Sequence, residues 1–279
     1  MSRLQKFAVA WIALVAFELA APTVVHAYAL SGGKWPQPGP CGSNCLGTPL
    51  TITYSFQNMF DGAIKMPDGN PLPTSIIRSS IEEALGLWAS VTPITFQEVV
   101  DDGLPYGSST QFGTIRFRHI SINGPDPIVG QPVAKAQAYF PAGPDYSGDV
   151  EFDDTDRWLE VGTLHQPDIL GAAIHEIGHT LGLDHTFVSQ PGEFWVYQVY
   201  DQNNQVIDHY EPKGAANMFW IFNRFTGPGS GFLFQDDIDG IHLVYGSGTG
   251  RVNSLVPEPS SAMLLIGAAT GLLFRRRMR

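Results

Sequence analysis

Three histidines, a glutamate and a glycine crowd into the stretch His175-Glu176-Ile177-Gly178-His179-Thr180-Leu181-Gly182-Leu183-Asp184-His185. His175 and His179 are four residues apart, so on a helix they project from one face about one turn apart. Two neutral imidazoles at that separation can grip one zinc ion. Glu176 sits beside such an ion without being an obvious ligand, where its carboxylate can take a proton from water. Gly182 can adopt the left-handed conformation that ends a helix, and the chain can then turn back to present His185 as a third ligand. Three protein ligands leave the fourth zinc position for water, which marks a catalytic site rather than a structural one.

The bland alternative is a helix with three satisfied surface or core histidines. Against it, the full pattern fixes five residue types over eleven positions. It resembles the signature of the metzincin zinc proteases, and the Gly182-Leu183-Asp184-His185 ending is most similar to the matrixin branch. The resemblance implies an α+β fold: a twisted, mostly parallel five-stranded sheet with three helices, the active-site helix lying below a cleft. It also implies a methionine turn. Met218 is the only methionine between His185 and the C-terminal tail, so Ala216-Asn217-Met218-Phe219-Trp220 is similar to that turn, with Met218 as the thioether platform. The segment from Phe219 to Phe232 would then wall the main specificity pocket.

The elements that must position these residues are legible around them. Leu50 to Phe56 alternates apolar and polar residues, the period of a half-buried strand. Thr74 opens a helix with Ile77, Ile81, Ala84, Leu85 and Trp88 at helical spacing. Ser90 to Phe96 stops that helix and starts a strand, and the run from Ala84 to Phe96 resembles the first helix and second strand of matrixins. Thr114 to Ile120 reads as a further strand, and Ala136 to Pro141 is similar to a matrixin edge strand. Pro167 and Asp168 mark the start of the zinc-motif helix, since proline is tolerated in a first turn and an acid suits its positive end. Gln235 to Gly246 resembles the closing matrixin helix, capped by glycine. The insertion from Thr186 to Gly214 carries Trp195, Tyr197, Tyr200 and Tyr210, which pack surface strands or line the cleft.

Other metals are read from the same resemblance. Gln137 and Glu151 stand where matrixins place histidines for a structural zinc, so one catalytic zinc is expected and no second. Asp153 and Asp156 match the family's calcium positions, and clustered hard oxygen donors suit that ion. His26 belongs to the N-terminal signal, while His119, His165, His209 and His242 lie outside the ligand pattern and are expected in ordinary surface or hydrogen-bonded roles. The only two cysteines are Cys41 and Cys45. They are close enough for a small disulfide loop, while Gly39-Pro40-Cys41-Gly42 has a faint similarity to the matrixin segment whose thiolate caps the zinc.

At 279 residues the chain has room for one large or two small domains. Arg3, Lys6 and the apolar run from Phe7 to Ala21 read as a secretory signal, cut by signal peptidase before Tyr28. Residues 28–47 form a Gly/Pro-rich lead-in, 48–247 the protease-like domain and 248–255 a linker. Residues 256–279 carry Val256-Pro257-Glu258-Pro259, an apolar run from Ala262 to Phe274, and four closing arginines. The run is short for an independent membrane span, and the tail resembles the PEP-CTERM sorting signal of Gram-negative bacteria. That implies an exosortase-like partner, transient membrane anchorage, and export to the envelope surface or extracellular matrix. With both ends set aside the body keeps 10 basic and 25 acidic residues, a balance that repels nucleic acid.

These features lead to an exported zinc endopeptidase acting on protein or peptide substrates, with Glu176 as general base. The rival is a catalytically inactive zinc-binding matrix or adhesion protein on a protease-derived fold. Retention of Glu176 speaks against it, because a binding module needs no base.

Overall fold

The computed structural model describes residues 28–40, 45–105, 107–125, 135–141, 143, 145–161, 168–185, 199–200, 206–208 and 231–255. Residues 1–27 and 256–279, Met218 with its turn, and most of the 186–214 insertion lie outside these residues. Within the insertion, Val199–Tyr200 (β8) and Val206–Asp208 (β9) pair antiparallel.

One sheet carries the fold. Leu50–Phe56 (β2), Ile94–Glu98 (β3), Ile115–Ile120 (β4), Ala136–Ala138 (β5), Val150–Asp153 (β6) and Arg251–Asn253 (β10) lie in the order β10-β3-β2-β4-β6-β5. Every neighbouring pair is parallel except β5 with β6. Parallel neighbours need long crossovers, and the helix Thr74–Val91 (α1) supplies the one between β2 and β3. Its apolar stripe of Ile77, Ile81, Ala84, Leu85 and Trp88 is fully buried, joining Ile52, Phe96, Phe117 and Phe152 from the sheet in one core.

Among the described residues the expected mostly parallel sheet is accompanied by three helices, Thr74–Val91, Ile169–Thr180 and Gln235–Tyr245, and the sheet has a sixth strand. That strand, β10, falls in the stretch assigned as a linker. The lead-in is likewise woven into the fold: Ala29–Leu30 (β1) pairs antiparallel with Leu183–Asp184 (β7), just before His185. Two segments outside 48–247 thus hydrogen-bond to strands within it. Both are two or three residues long, too short to show a periodicity of their own.

Candidate metal centre and active site

The helix Ile169–Thr180 (α2) is buried on nearly every side, as its apolar composition dictates. Asp168 caps its start, the carboxylate accepting a hydrogen bond from the Gly171 N–H at 2.7 Å. Its far side meets α1, where the Trp88 indole donates to the Ile174 carbonyl at 3.0 Å. This contact fixes the turn that carries His175 and Glu176.

The helix ends where the glycine reading requires. Leu181 N–H reaches back to the Ile177 and Gly178 carbonyls, and Gly182 N–H to that of His179. Gly182 has φ = 101°, in the left-handed region that costs any residue with a β-carbon. The lead-in then seals the bend. Ser31 donates to the Gly182 carbonyl from its backbone N–H at 2.9 Å and from its hydroxyl at 3.1 Å, and the Trp35 indole donates to the Thr180 carbonyl at 2.8 Å.

This folding brings the three histidines together. The Nε2 atoms of His175, His179 and His185 form a triangle with every side 3.1 Å. His179 donates from Nδ1 to the Leu183 carbonyl at 2.8 Å, so its Nε2 carries a lone pair. Such an orienting bond on the far nitrogen is the usual companion of a metal-ligating imidazole. Three ring nitrogens facing one point cannot satisfy one another by hydrogen bonds, but they suit a cation; tetrahedral zinc at about 2.0–2.1 Å from each ligand would set nitrogens about 3.4 Å apart. The site therefore fits zinc. Burial pushes His179 down to about 4, with the neighbouring His185 acting the same way, and lowers His185 as well; both rings are in the neutral form that a metal requires. Burial pushes the Glu176 carboxyl up to about 8, the range of a group that exchanges protons near neutrality. Phe140, at the end of the edge strand, places its ring edge-on to His179 with centroids 5.3 Å apart.

The candidate calcium residues are arranged differently. Asp153 is fully buried, its Oδ1 accepting from the Thr155 N–H and hydroxyl and its Oδ2 from the Asn123 N–H. Asp156 Oδ2 lies 3.2 Å from the Lys135 ammonium. Calcium takes six to eight oxygen ligands, whereas here both Asp153 oxygens accept hydrogen bonds and Asp156 Oδ2 lies within ion-pair range of Lys135. Among the described residues, His175, His179 and His185 are the one group of three or more metal-ligating side chains that converge.

Gln137 and Glu151 meet across the β5–β6 pair, the Gln137 amide donating to the Glu151 carboxylate, which also takes the Arg118 guanidinium. His119 is hydrogen-bonded on both sides, to Asp154 at 2.8 Å and Asp61 at 3.1 Å, and His242 donates to the Val91 carbonyl at 2.8 Å. Cys45 is buried in a disulfide, and the sequence offers Cys41 as its one possible partner. The clasp by Ser31 and Trp35 was not legible in the sequence, since nothing local ties them to Gly182.

A mostly parallel sheet over a helix bearing two histidines and a buried glutamate, with a third histidine converging from beyond the helix end, defines a metzincin type of fold. A matrixin family model matches residues 51–220, and the chain belongs to that family. A PEP-CTERM protein-sorting motif occupies residues 255–277. Relatives include a matrix metalloproteinase-C of Caenorhabditis elegans, 33% identical over 73% of this chain and 29% of its own length. Mouse stromelysin-1 is 32% identical over 75% of this chain and 36% of its own. Human matrix metalloproteinase-16 is 34% identical over 72% and 30%. The chain thus spans about a third of the length of these relatives. No helix among the described residues is long and apolar enough to cross a membrane.

Proposed function

We propose that this chain is an exported zinc endopeptidase, and that the observation carrying this reading is the closed triangle of three Nε2 atoms beside buried Glu176. His175, His179 and His185 would hold the ion. Zinc when bound supplies a Lewis acid for the scissile carbonyl and lowers the pKa of water to about 7. Glu176 takes the proton of the attacking water and hands it to the departing amine nitrogen, a task suited to a carboxyl whose affinity for protons burial has raised. Gly182 turns the chain so that His185 faces the other two rings. Met218, outside the described residues, would be the thioether platform that the family resemblance implies. The substrate is a protein or peptide strand.

Signal peptidase would release the chain before Tyr28. The PEP-CTERM tail, with its apolar run from Ala262 to Phe274 as a transient anchor, would direct it through an exosortase-like enzyme to the surface of a Gram-negative cell or its surrounding matrix.

The test is digestion of an unfolded protein by the purified chain beside Glu176→Ala, each with its zinc content measured. The expected result is cleavage by the parent, lowered roughly a hundred- to ten-thousand-fold in the variant, with one zinc in both. Zinc in both without cleavage by either would make the chain a non-catalytic adhesion or matrix protein. Absence of zinc from the parent would remove the reading altogether.

A further inference from the structure

Four carboxylates are buried within eight residues: Asp149, Glu151, Asp153 and Asp156, none more than 3% exposed. Val150 and Phe152 of β6 join the core, so the alternating Glu151 and Asp153 lie on the opposite face of the sheet. Ionised groups survive in such places only when paired and hydrogen-bonded. A cluster of this kind is the sort of site that a divalent cation neutralises. Here the positive charge comes from the chain itself. Arg118, on β4, donates to Glu151 and holds its Nε 3.7 Å from Asp149 Oδ2. Lys135, at the entrance to β5, places its ammonium 3.2 Å from Asp156 Oδ2. The Lys135 backbone is pinned too, its carbonyl accepting from the Asp153 N–H at 2.9 Å. Gln137 and Tyr139 reach Glu151 from the edge strand, and Asp153 is satisfied by N–H and O–H groups.

We propose that Arg118 and Lys135 are resident counter-cations that do the work of structural metal ions along β6, so that the folded chain needs no ion beyond the one at the histidine triad. The two cations attach β6 to β4 on one side and to the entry of β5 on the other. These attachments set the position of the edge strand and of Phe140 next to His179. The protein should therefore be a one-metal relative within a family whose resemblance implies more. This rests on the zinc reading of the triad but not on the proposed hydrolysis.

The experiment uses the purified full chain, its bound metals counted by elemental mass spectrometry and its melting followed in calcium-depleted, zinc-supplemented buffer, with and without added calcium chloride. One zinc, no retained calcium and an unchanged Tm on calcium addition are expected. Lys135→Met should lower Tm by about 5 °C or more in calcium-free buffer, because it strands a buried carboxylate, whereas Lys135→Arg should stay within about 2 °C of the parent. A parent chain that retains calcium, carries a second zinc, or gains several degrees on calcium addition would overturn the proposal. So would a Lys135→Met variant that melts with the parent. Neither readout requires peptide hydrolysis, so an inactive protein that passes these tests would sink the proposed activity and leave this inference standing.

Discussion

The carbonyl oxygen of Gly33 occupies the place where a β-carbon on Gly182 would sit, inside the 3.0 Å that real β-carbons keep from their neighbours. The bend at Gly182 is therefore closed from two sides, by its own φ of 101° and by the backbone of a segment about 150 residues earlier in the chain. Gly182→Ala should cost about 1–2 kcal/mol for the left-handed conformation alone, and more because the obstacle is backbone that no side-chain rotation can clear. The displacement falls three residues before His185. Titration with a chromophoric zinc chelator should show weaker zinc binding in Gly182→Ala, together with a lower Tm. Unchanged zinc affinity would mean that His185 finds the triad without this turn.

The contact between α1 and α2 predicts a milder effect. Trp88 is fully buried and its indole N–H serves the Ile174 carbonyl. Trp88→Phe keeps an aromatic ring in the core but removes that donor and leaves a gap, so stability should fall by about 2–4 kcal/mol. Because the carbonyl lies one residue before His175, the loss should also broaden the histidine resonances of the zinc-loaded protein. A urea titration read alongside the imidazole region of its NMR spectrum separates the two effects.

What the sequence made legible is what local spacing encodes. The triad, the glycine bend and the alternation in β2 each come from residues within a few positions of one another, and all appear where the spacing puts them. Asp168 was read as a helix-dipole residue and turns out to cap the helix by accepting from Gly171. The features that escaped are long-range. Ser31 serves Gly182, Lys135 faces Asp156, and β10 adds to β3 by short matches that have no periodic pattern of their own. An acidic loop reads as a calcium site, and the cations beside it, which local spacing does not show, come from β4 and the entrance to β5.

Acid should expose a second buried pair. Arg116 and Asp101 are almost wholly inaccessible and make a two-point contact, Nε to Oδ2 at 2.8 Å and Nη2 to Oδ1 at 2.6 Å. Burial alone would raise the Asp101 carboxyl, but hydrogen bonds from Arg116, Ser55 and Gly103 outweigh it and hold the group below its ordinary value. A depressed carboxyl contributes its stability in full above the unfolded value of about 3.9, and that contribution is lost as pH falls through the folded value. Urea midpoints of the parent should therefore decline between about pH 4 and pH 2. Asp101→Asn should be less stable at neutral pH, because Arg116 is left buried without its partner, yet flatter across the acid range. Parallel acid declines in the two proteins would show that another group governs the loss.

The last described strand yields the last prediction. Arg251, Val252 and Asn253 pair with Thr95, Phe96 and Gln97. Beyond them the Ser254 hydroxyl meets Tyr54 OH at 3.2 Å, and Leu255 N–H donates to buried Glu98 at 2.7 Å. The sorting motif begins at 255, so the sheet finishes where the tail takes over. A chain stopped at Gly250 would lose a whole edge strand and open β3 to solvent, where unpaired N–H and C=O groups invite association. It should melt at least about 5 °C below the full chain and elute partly as aggregate, given that each kcal/mol is worth about 2–4 °C at this size. A chain stopped at Leu255 keeps every one of these contacts and should melt with the full chain. If the two truncations melt alike, β10 contributes nothing to stability, and the sheet is complete without it.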